Sequence, residues 1–308
     1  MIEKDIKKDF AVLWAVYTLA ILFLILILAF AVPLSIRKMG IFIPSFKKSK
    51  VVSGYYDKNA FNNISVEAKS FIVYDVVTRE VIAGKNENIE YPLASITKIM
   101  TALTALEIAP SSSKIIITKG GLDGGYDLGL KEKQVWSLEE LLKYTLVFSS
   151  NDGAQLIADK LLGREKFVRR MNSYSKELGF NMKFTQPAGL DVNGKLGGIG
   201  SAYDVARMMS LARMELGNIL DSTTKTRLNV KSSTGMIVGI PNTNQHIDEF
   251  IGVEASKTGF TDSAGGNLVL SVDAYLGHPV IIVILGSTRD ARFSDAYTLY
   301  LALIKSIR

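Results

Sequence analysis

The sequence predicts an α+β domain in which short strands at both ends enclose a helical middle. Residues 71–77 and 81–84 are apolar runs rich in β-branched side chains, and a polar turn separates them as in a β-hairpin. Residues 267–272 and 280–285 repeat this pattern near the C-terminus. Between the two pairs, the apolar residues recur at helical spacing. Strands, then helices, then strands is the order of elements in an α+β fold.

The helical middle is marked by residue types that begin or end helices. A capping box begins at Ser137, where a serine precedes a glutamate by three positions. Gly163 and Gly179 end the helices predicted for residues 151–162 and 164–178. A last helix carries an apolar stripe that we expect to pack on the sheet, formed by Phe293, Ala296, Tyr297, Tyr300, Leu301 and Ile304.

The composition excludes several kinds of site. The chain of 308 residues contains no cysteine and only two histidines, His246 and His278. Thiol nucleophiles, disulfides and cysteine-based zinc sites are therefore excluded, and a multi-histidine metal centre is not expected. The net charge of +6 favours an anionic neighbour, which nucleic acid, an acidic membrane surface or a cell-envelope polymer would each provide.

The N-terminal region has the features of a membrane anchor. No charged residue lies between Asp9 and Arg37, and residues 11–34 form an apolar run long enough to span a bilayer. A cleavable signal peptide is the alternative, because residues 29–31 (Ala-Phe-Ala) resemble a small-x-small cleavage site. We favour the uncleaved anchor, because the apolar run exceeds the usual length of a signal-peptide core.

These features divide the chain into four regions. We expect a short tail at residues 1–10, the anchor at residues 11–34, a linker at residues 35–68 and the folded domain at residues 69–308, with a helical subdomain at about residues 100–235. Basic residues are more frequent after the apolar run than before it. The positive-inside rule, taken alone, would therefore place the folded domain in the cytoplasm.

One serine–lysine pair lies at the predicted start of a helix. Ser95 and Lys98 are three positions apart, so both lie on one helix face. A lysine that is partly desolvated near the positive end of a helix loses its proton more readily than in water and can deprotonate a serine hydroxyl. The pattern alone is not specific, because other Ser-x-x-Lys pairs begin at Ser35, Ser45, Ser111, Ser173 and Ser222.

Two further motifs each occur once in the chain. Residues 149–151 (Ser-Ser-Asn) fall at the junction of two predicted helices, where serine and asparagine are also ordinary caps. Residues 257–259 (Lys-Thr-Gly) lead into the C-terminal strands. A lysine and a hydroxyl on one strand can bind a carboxylate, and a glycine leaves room for a substrate backbone to lie alongside as an added strand.

In this order, the three motifs resemble those of the serine D-Ala-D-Ala carboxypeptidases, the low-molecular-mass penicillin-binding proteins of peptidase family S11. The resemblance extends from about Phe71 to Phe293 and selects Ser95 from the six candidate serines. It is carried by residues 91–98 (Tyr-Pro-Leu-Ala-Ser-Ile-Thr-Lys), 148–154 (Phe-Ser-Ser-Asn-Asp-Gly-Ala), 186–191 (Gln-Pro-Ala-Gly-Leu-Asp), 201–204 (Ser-Ala-Tyr-Asp) and 257–265 (Lys-Thr-Gly-Phe-Thr-Asp-Ser-Ala-Gly).

The resemblance implies the β-lactamase/transpeptidase-like fold, an antiparallel sheet flanked by helices with an all-helical subdomain inserted between its first and last strands. It also implies a role for each site residue. The expected catalytic residues are Ser95 as nucleophile, Lys98 as its base, Ser149 and Asn151. The expected substrate-binding residues are Lys257, Thr258, Gly259, Phe260 and Arg292, with Arg289 as the less favoured arginine. No metal and no other cofactor is implied.

The resemblance further implies what the chain acts on and where. The substrate would be a peptidoglycan stem peptide ending in D-Ala-D-Ala, β-lactams would be covalent inhibitors, and nucleic acid would not be a partner. Because that substrate lies outside the cytoplasm, the implied location is the cell membrane, with a single span and an extracytoplasmic catalytic domain. We let this implication outweigh the charge count beside the anchor.

Three other functions remain open at this level. An endopeptidase would use the same residues to cleave D-alanine cross-links. A β-lactamase would need a deacylating glutamate, for which Glu177, four positions before Asn181, is the candidate. A non-catalytic sensor of β-lactams or muropeptides would signal through the membrane segment, but the short N-terminal tail leaves little room for signalling machinery.

Overall fold

The computed structural model describes residues 56–119, 122, 129–275 and 277–308. The predicted tail, the anchor at residues 11–34 and most of the predicted linker lie outside the described residues. Within the described part of the chain, no helix is both long enough and apolar enough to cross a membrane.

The described residues form twelve strands and seven α-helices, in the order strands, helices, strands that the sequence predicts. In chain order they are β1 (Ser70–Asp75), β2 (Val81–Lys85), β3 (Glu90–Pro92), α1 (Thr97–Ile108), β4 (Lys114–Ile116), β5 (Val135–Ser137), α2 (Leu138–Val147), α3 (Asn151–Leu161), α4 (Arg164–Glu177), β6 (Lys183–Phe184), β7 (Gly198–Ser201), α5 (Ala202–Glu215), α6 (Asn218–Asp221), β8 (Arg227–Lys231), β9 (Ile237–Pro241), β10 (Val253–Thr261), β11 (Gly265–Asp273), β12 (Pro279–Ser287) and α7 (Ala291–Ser306).

The main sheet has five antiparallel strands in the order β10-β11-β12-β1-β2. Its central pair joins the two ends of the domain, because Val73 of β1 pairs with Ile282 of β12. β10, which carries the Lys-Thr-Gly motif, lies at one edge. An edge strand keeps one row of backbone N–H and C=O groups available to another chain. The predicted α+β fold is confirmed.

The inner strands of the main sheet are buried on both faces, which explains why β1 and β12 are nearly continuous apolar runs. Successive side chains of a strand point to opposite faces. In β1, Ile72 and Tyr74 belong to the core shared with the helices between β2 and β10, whereas Phe71 and Val73 belong to a second core. α5 packs on the first face and α7 on the second. The sheet is therefore the middle layer of three.

The segment between β2 and β10 contains α1 to α6 and also three small sheets. These are β3-β7-β6, β4-β5 and β8-β9. The prediction of an all-helical insertion is wrong in this respect. Each of these strands has only two to five residues, too few for a period of two to be recognised in the sequence.

The folded domain begins earlier than predicted, so the linker prediction is wrong for residues 56–68. Lys58–Phe61 form a 3-10 turn. The hydroxyl of Tyr56 donates to the buried carboxylate of Asp75 at 2.7 Å. Two backbone N–H groups near the end of the segment donate to the carboxylate of Asp295 in α7, at 3.0 and 2.9 Å. Hydrogen bonds between distant residues hold this segment, and such bonds leave no periodic signal in the sequence.

The apolar stripe of α7 is wider than the face that the sheet covers. Ala296 and Tyr300 are buried as expected. Tyr297, Leu301 and Ile304 keep 36%, 49% and 42% of their surface exposed. The expectation that the whole stripe packs on the sheet is therefore wrong for its outer half.

Candidate active site

Ser95 lies where a one-turn 3-10 helix, Ala94–Ile96, continues directly into α1. Ala94 has φ 47°, in the left-handed region that non-glycine residues rarely adopt. Such strain is tolerated only where the surrounding structure fixes the backbone, and it is frequent at active sites. Ser95 is half-buried, whereas Lys98, one turn further along, is fully buried.

Lys98 is the centre of the arrangement. Its Nζ lies 2.7 Å from Ser95 Oγ, 2.8 Å from Asn151 Oδ1 and 2.8 Å from the carbonyl oxygen of Ala188. Two of these three oxygens can only accept hydrogen bonds. A neutral amine would donate its two N–H groups to Asn151 and Ala188, and its lone pair would then face the hydroxyl of Ser95. The geometry is therefore compatible with Lys98 as the base for Ser95.

Ser149 and Asn151 are placed by the junction of α2 and α3. The side chain of Ser150 caps α3 by accepting the N–H of Gly153 at 2.7 Å. Ser149, just before the cap, has φ 61°, again in the left-handed region. This tight turn brings Ser149 to Lys257 of β10, whose Nζ donates to Ser149 Oγ at 2.8 Å. The junction therefore places one hydroxyl and one amide between the two lysines.

Lys257 is held in an environment that disfavours its charge. The side chain is 1% exposed, and Nζ also donates to the carbonyl oxygen of Thr258 at 2.9 Å. Burial, followed by the positive charges of Lys98 and Arg292, lowers the pKa of Lys257 well below its usual value. A bound anion would relieve this cost, so Lys257 is suited to receive a carboxylate.

Lys257→Met is expected to raise the thermal stability of the protein at neutral pH. Because the folded-state pKa is lowered, the unfolded chain binds one more proton in the window between that pKa and about 10.4. Stability therefore rises with pH across this window, and the penalty disappears above it. Removing Lys257 should remove this slope, so the gain in melting temperature over the wild type should shrink as pH approaches 10.

The melting temperatures of both proteins between pH 6 and pH 10 provide the measurement. Lys166→Met, at an exposed position of α4, is the matched control and should not change the slope. A Lys257→Met variant that is less stable than the wild type at every pH would contradict the interpretation.

Gly259 allows β10 to lie against the Ser95 turn. A β-carbon at this position would lie 2.9 Å from the carbonyl oxygen of Leu93 and 3.2 Å from the backbone nitrogen of Ser95. Any side chain would push the strand away from Ser95. The absence of a side chain thus keeps the open edge of β10 beside Ser95.

Arg292 is a buried arginine that contacts the backbone of β10. It is 9% exposed, and its Nη1 donates to the carbonyl oxygen of Gly259 at 2.8 Å. Burial and the neighbouring Arg289 lower the pKa of Arg292 to about 10. The guanidinium of Arg289 stacks on the ring of Phe260, 4.1 Å from its centroid. The direct carboxylate contact predicted for Arg292 stays a prediction, and the structure adds a positioning role that the sequence did not indicate.

The structure also shows a site residue that sequence reasoning missed. Thr258 Oγ1 donates to Thr243 Oγ1 at 2.7 Å. Thr243 lies between Asn242 and Asn244, in the loop that connects β9 to β10. The asparagines were the available signal, since two of them around a hydroxyl suggest a hydrogen-bonded loop rather than a solvated one.

Gly189 fixes the carbonyl that Lys98 contacts. It has φ 76°, and a β-carbon there would overlap the carbonyl oxygen of Ala94. Gly189→Ala is expected to destabilise the protein by about 3 kcal/mol or more, from left-handed strain plus steric overlap. Gly194, with φ 74° and no atom within 4 Å of such a β-carbon, is the matched control. Gly194→Ala should cost about 1 kcal/mol.

Urea unfolding of the two glycine variants gives the comparison. Equal losses of unfolding free energy would show that the overlap at Gly189 relaxes without cost, contrary to expectation.

Glu177, the candidate deacylating glutamate, lies away from this group. It forms an ion pair with Arg170 on the surface of α4, at 2.6 Å, and 56% of its side chain is exposed. The hydrogen bond from Arg170 lowers its pKa. A carboxylate committed to a surface ion pair is poorly placed to activate water at Ser95.

The site holds a half-buried serine on a buried lysine, and a second serine on a second buried lysine, between an antiparallel sheet and a largely helical insertion. This arrangement is that of the serine acyl-transferring enzymes of the penicillin-binding class. The chain belongs to the D-alanyl-D-alanine carboxypeptidase family of peptidases, S11, whose family model matches residues 57–289. The predicted family, fold and enzyme class are confirmed.

Three relatives illustrate the match. D-alanyl-D-alanine carboxypeptidase DacF of Bacillus subtilis is 30% identical over 84% of this chain and 67% of its own length. A D-alanyl-D-alanine endopeptidase of Haemophilus influenzae is 31% identical over 75% of this chain and 79% of its own. Penicillin-binding protein D2 of Listeria monocytogenes, solved in its cefotaxime-bound form, superposes with a TM-score of 0.69 at 28% identity, covering 78% of this chain and 98% of that one.

Proposed function

We propose that the chain is a serine D,D-carboxypeptidase that removes the terminal D-alanine from peptidoglycan pentapeptide stems. The observation that carries the proposal is the pair of lysine contacts, Lys98 on Ser95 and Lys257 on Ser149. Each hydroxyl has a buried amine within hydrogen-bond distance. One pair suits deprotonation of a nucleophile, and the other suits protonation of a leaving group.

In the acylation step, the oxygen of Ser95 attacks the carbonyl carbon between the two D-alanines while Lys98 takes its proton. The backbone N–H groups of Ser95 and Phe260 are the proposed donors to the oxyanion. As the C–N bond breaks, the leaving nitrogen takes the proton of Ser149. Lys257 then gives a proton to Ser149.

In the deacylation step, water attacks the ester on Ser95. One proton of the water passes to Lys257, and the proton held by Lys98 returns to Ser95. The cycle therefore balances with no group other than the two serines and the two lysines.

The substrate would lie along the open edge of β10. Lys257 and Thr258 are the proposed ligands of its terminal carboxylate. Asn151 uses its Oδ1 on Lys98, so its Nδ2 is the group left for a substrate carbonyl. This arrangement supports the site residues that the sequence resemblance implied.

The direct test is release of D-alanine by the full chain from a stem-peptide analogue ending in D-Ala-D-Ala. We expect catalytic release from this peptide and none from the same peptide ending in L-Ala-L-Ala. If the protein released no D-alanine while β-lactams still acylated Ser95, the carboxypeptidase function would be rejected in favour of the non-catalytic sensor.

The endopeptidase is the second candidate, because one relative of 31% identity carries that name. Both reactions use the same catalytic group and differ in the size of the leaving amine. Comparing kcat/KM on a cross-linked muropeptide dimer and on the pentapeptide separates them. A higher value on the dimer would favour the endopeptidase.

β-Lactams are the proposed covalent inhibitors, supported by membership of the family and by the cefotaxime-bound relative. A β-lactam would acylate Ser95 by the same attack and be released slowly. Rapid turnover of a chromogenic cephalosporin would favour a β-lactamase instead, although the surface ion pair of Glu177 opposes that outcome.

We also propose that residues 11–34 anchor the protein in the cell membrane with the catalytic domain outside the cytoplasm. The apolar sequence supports the anchor, and the location of the proposed substrate supports the orientation. Protease added to intact spheroplasts should degrade the domain. Full protection until lysis would reverse the proposed orientation.

A further inference from the structure

We infer that Thr243 is a positioning residue that directs the hydroxyl of Thr258 toward the carboxylate of the substrate. The inference deepens the proposed function and rests on it only for the identity of the natural substrate. Thr243 is not part of the three motifs. Its position comes from contacts across the cleft.

The loop that carries Thr243 is rigidly held on both sides. Asn242 donates from Nδ2 to the carbonyl oxygens of Thr223 and Lys225, at 2.7 and 2.9 Å. Asn244 is fully buried and donates from Nδ2 to Ser256 Oγ at 2.9 Å. Thr243 is therefore fixed relative to β10. On that strand, Thr258 lies two residues after Ser256.

Thr243 connects the two elements that carry the site. Its backbone N–H donates to the carbonyl oxygen of Val147 at 3.2 Å, at the end of α2 and two residues before Ser149. Its Oγ1 lies 3.4 Å from the same carbonyl oxygen and 2.7 Å from Thr258 Oγ1. One side chain thus spans the cleft from the Ser149 turn to the Lys-Thr-Gly strand.

The donors and acceptors available determine the direction of the hydrogen bonds between Val147, Thr243 and Thr258. The carbonyl of Val147 can only accept, so the hydroxyl hydrogen of Thr243 points to it and the hydrogen of Thr258 points to Thr243. A carboxylate brings no hydrogen of its own, so Thr258 must turn its hydrogen to the anion. Thr243 can then release its long 3.4 Å bond and donate to Thr258 Oγ1 at 2.7 Å.

The exchange leaves both hydroxyls satisfied in both states. In the free site the hydrogens point away from the place of the anion, and in the bound site both point toward it. Hydrogen bonds to a charged group are stronger than neutral ones, so the exchange favours a free carboxylate. A neutral carboxamide supplies its own N–H donors and gains less. Thr243 should therefore contribute to selectivity for a free carboxyl terminus.

The test measures acylation of the full chain by a penicillin and by the carboxamide of the same penicillin. Thr243→Val keeps the shape of the side chain and removes its hydroxyl. We expect the second-order acylation rate constant for the free acid to fall about three- to tenfold, the value of one hydrogen bond, and that for the carboxamide to change less than about twofold. Thr243→Ser should restore the rate for the acid.

Thr226→Val is the matched control, because Thr226 is exposed and its backbone carbonyl accepts the N–H of Asn242 in the same loop. It should leave both rates unchanged.

Two outcomes would overturn the inference. One is an equal loss for the acid and the carboxamide, which would make Thr243 a purely structural residue. The other is no loss for either compound. Because acylation is measured without peptide hydrolysis, a chain that releases no D-alanine would still report on Thr243. Failure of the proposed function and failure of this inference are therefore distinguishable.

Discussion

Ser95→Ala is expected to abolish both D-alanine release and covalent labelling by β-lactams. No other described hydroxyl combines a fully buried amine at 2.7 Å with a position at the start of α1 beside β10. Removing the nucleophile of a serine hydrolase typically lowers kcat by about 10⁴-fold or more. Because Ser95 Oγ has a polar partner only in Lys98 among the described contacts, the fold should be retained.

Ser173→Ala is a control of the same local geometry. Ser173 and Lys176 form another Ser-x-x-Lys pair, also on a helix, but both are exposed and Ser173 donates to the backbone of Arg170. Full activity is expected after this substitution. Residual labelling of Ser95→Ala at a second serine, found by mass spectrometry of the adduct, would show that the nucleophile has been misassigned.

Lys98→Arg is expected to lower kcat by about 10²- to 10⁴-fold, the usual contribution of general base catalysis. A guanidinium keeps its charge at every working pH, so it cannot accept the proton of Ser95. The effect should appear in the acylation rate of a β-lactam as well as in peptide hydrolysis, because both begin with the same attack.

Overpacking is the complication, because Lys98 is fully buried and arginine is larger. Lys98→Met, which is similar in volume and uncharged, removes the base without adding bulk. We expect it to lose activity to a similar degree while keeping a cooperative thermal transition. If a folded Lys98→Met variant retains more than a tenth of the wild-type acylation rate, Lys98 is not the base.

The fold was largely predictable because its strong signals are local. The inner strands of the main sheet are buried on both faces, so they stand out as apolar runs, and α2 to α5 carry serine caps or glycine stops. The segment at residues 56–68 left no such signal, because a tyrosine hydroxyl and the carboxylate of Asp295 hold it. Its hydrogen-bond partners lie far away in the chain.

The site was predictable where side chains repeat a motif and unpredictable where the backbone or a loop contributes. Ser95 was selected from six candidates by two other motifs that lie far from it in sequence. The carbonyl of Ala188 on Lys98 gave no signal, since every residue carries a carbonyl. Thr243 meets Thr258 only because two asparagines fix its loop, and the contact of Arg292 with Gly259 likewise depends on tertiary packing.

The pairing of β1 with β12 has a consequence for the order in which the protein acquires activity. Val73 meets Ile282 about 200 residues further along the chain, so the central strands of the sheet cannot close until almost the whole chain has been synthesised. Ser95 and Lys98 can adopt their helix early, but Lys257 reaches Ser149 only when β10 is laid beside β11. Contacts of such long range form slowly. We therefore expect a nascent chain to be inert toward its own substrate and toward β-lactams, and activity to appear late, when the C-terminal strands complete the sheet.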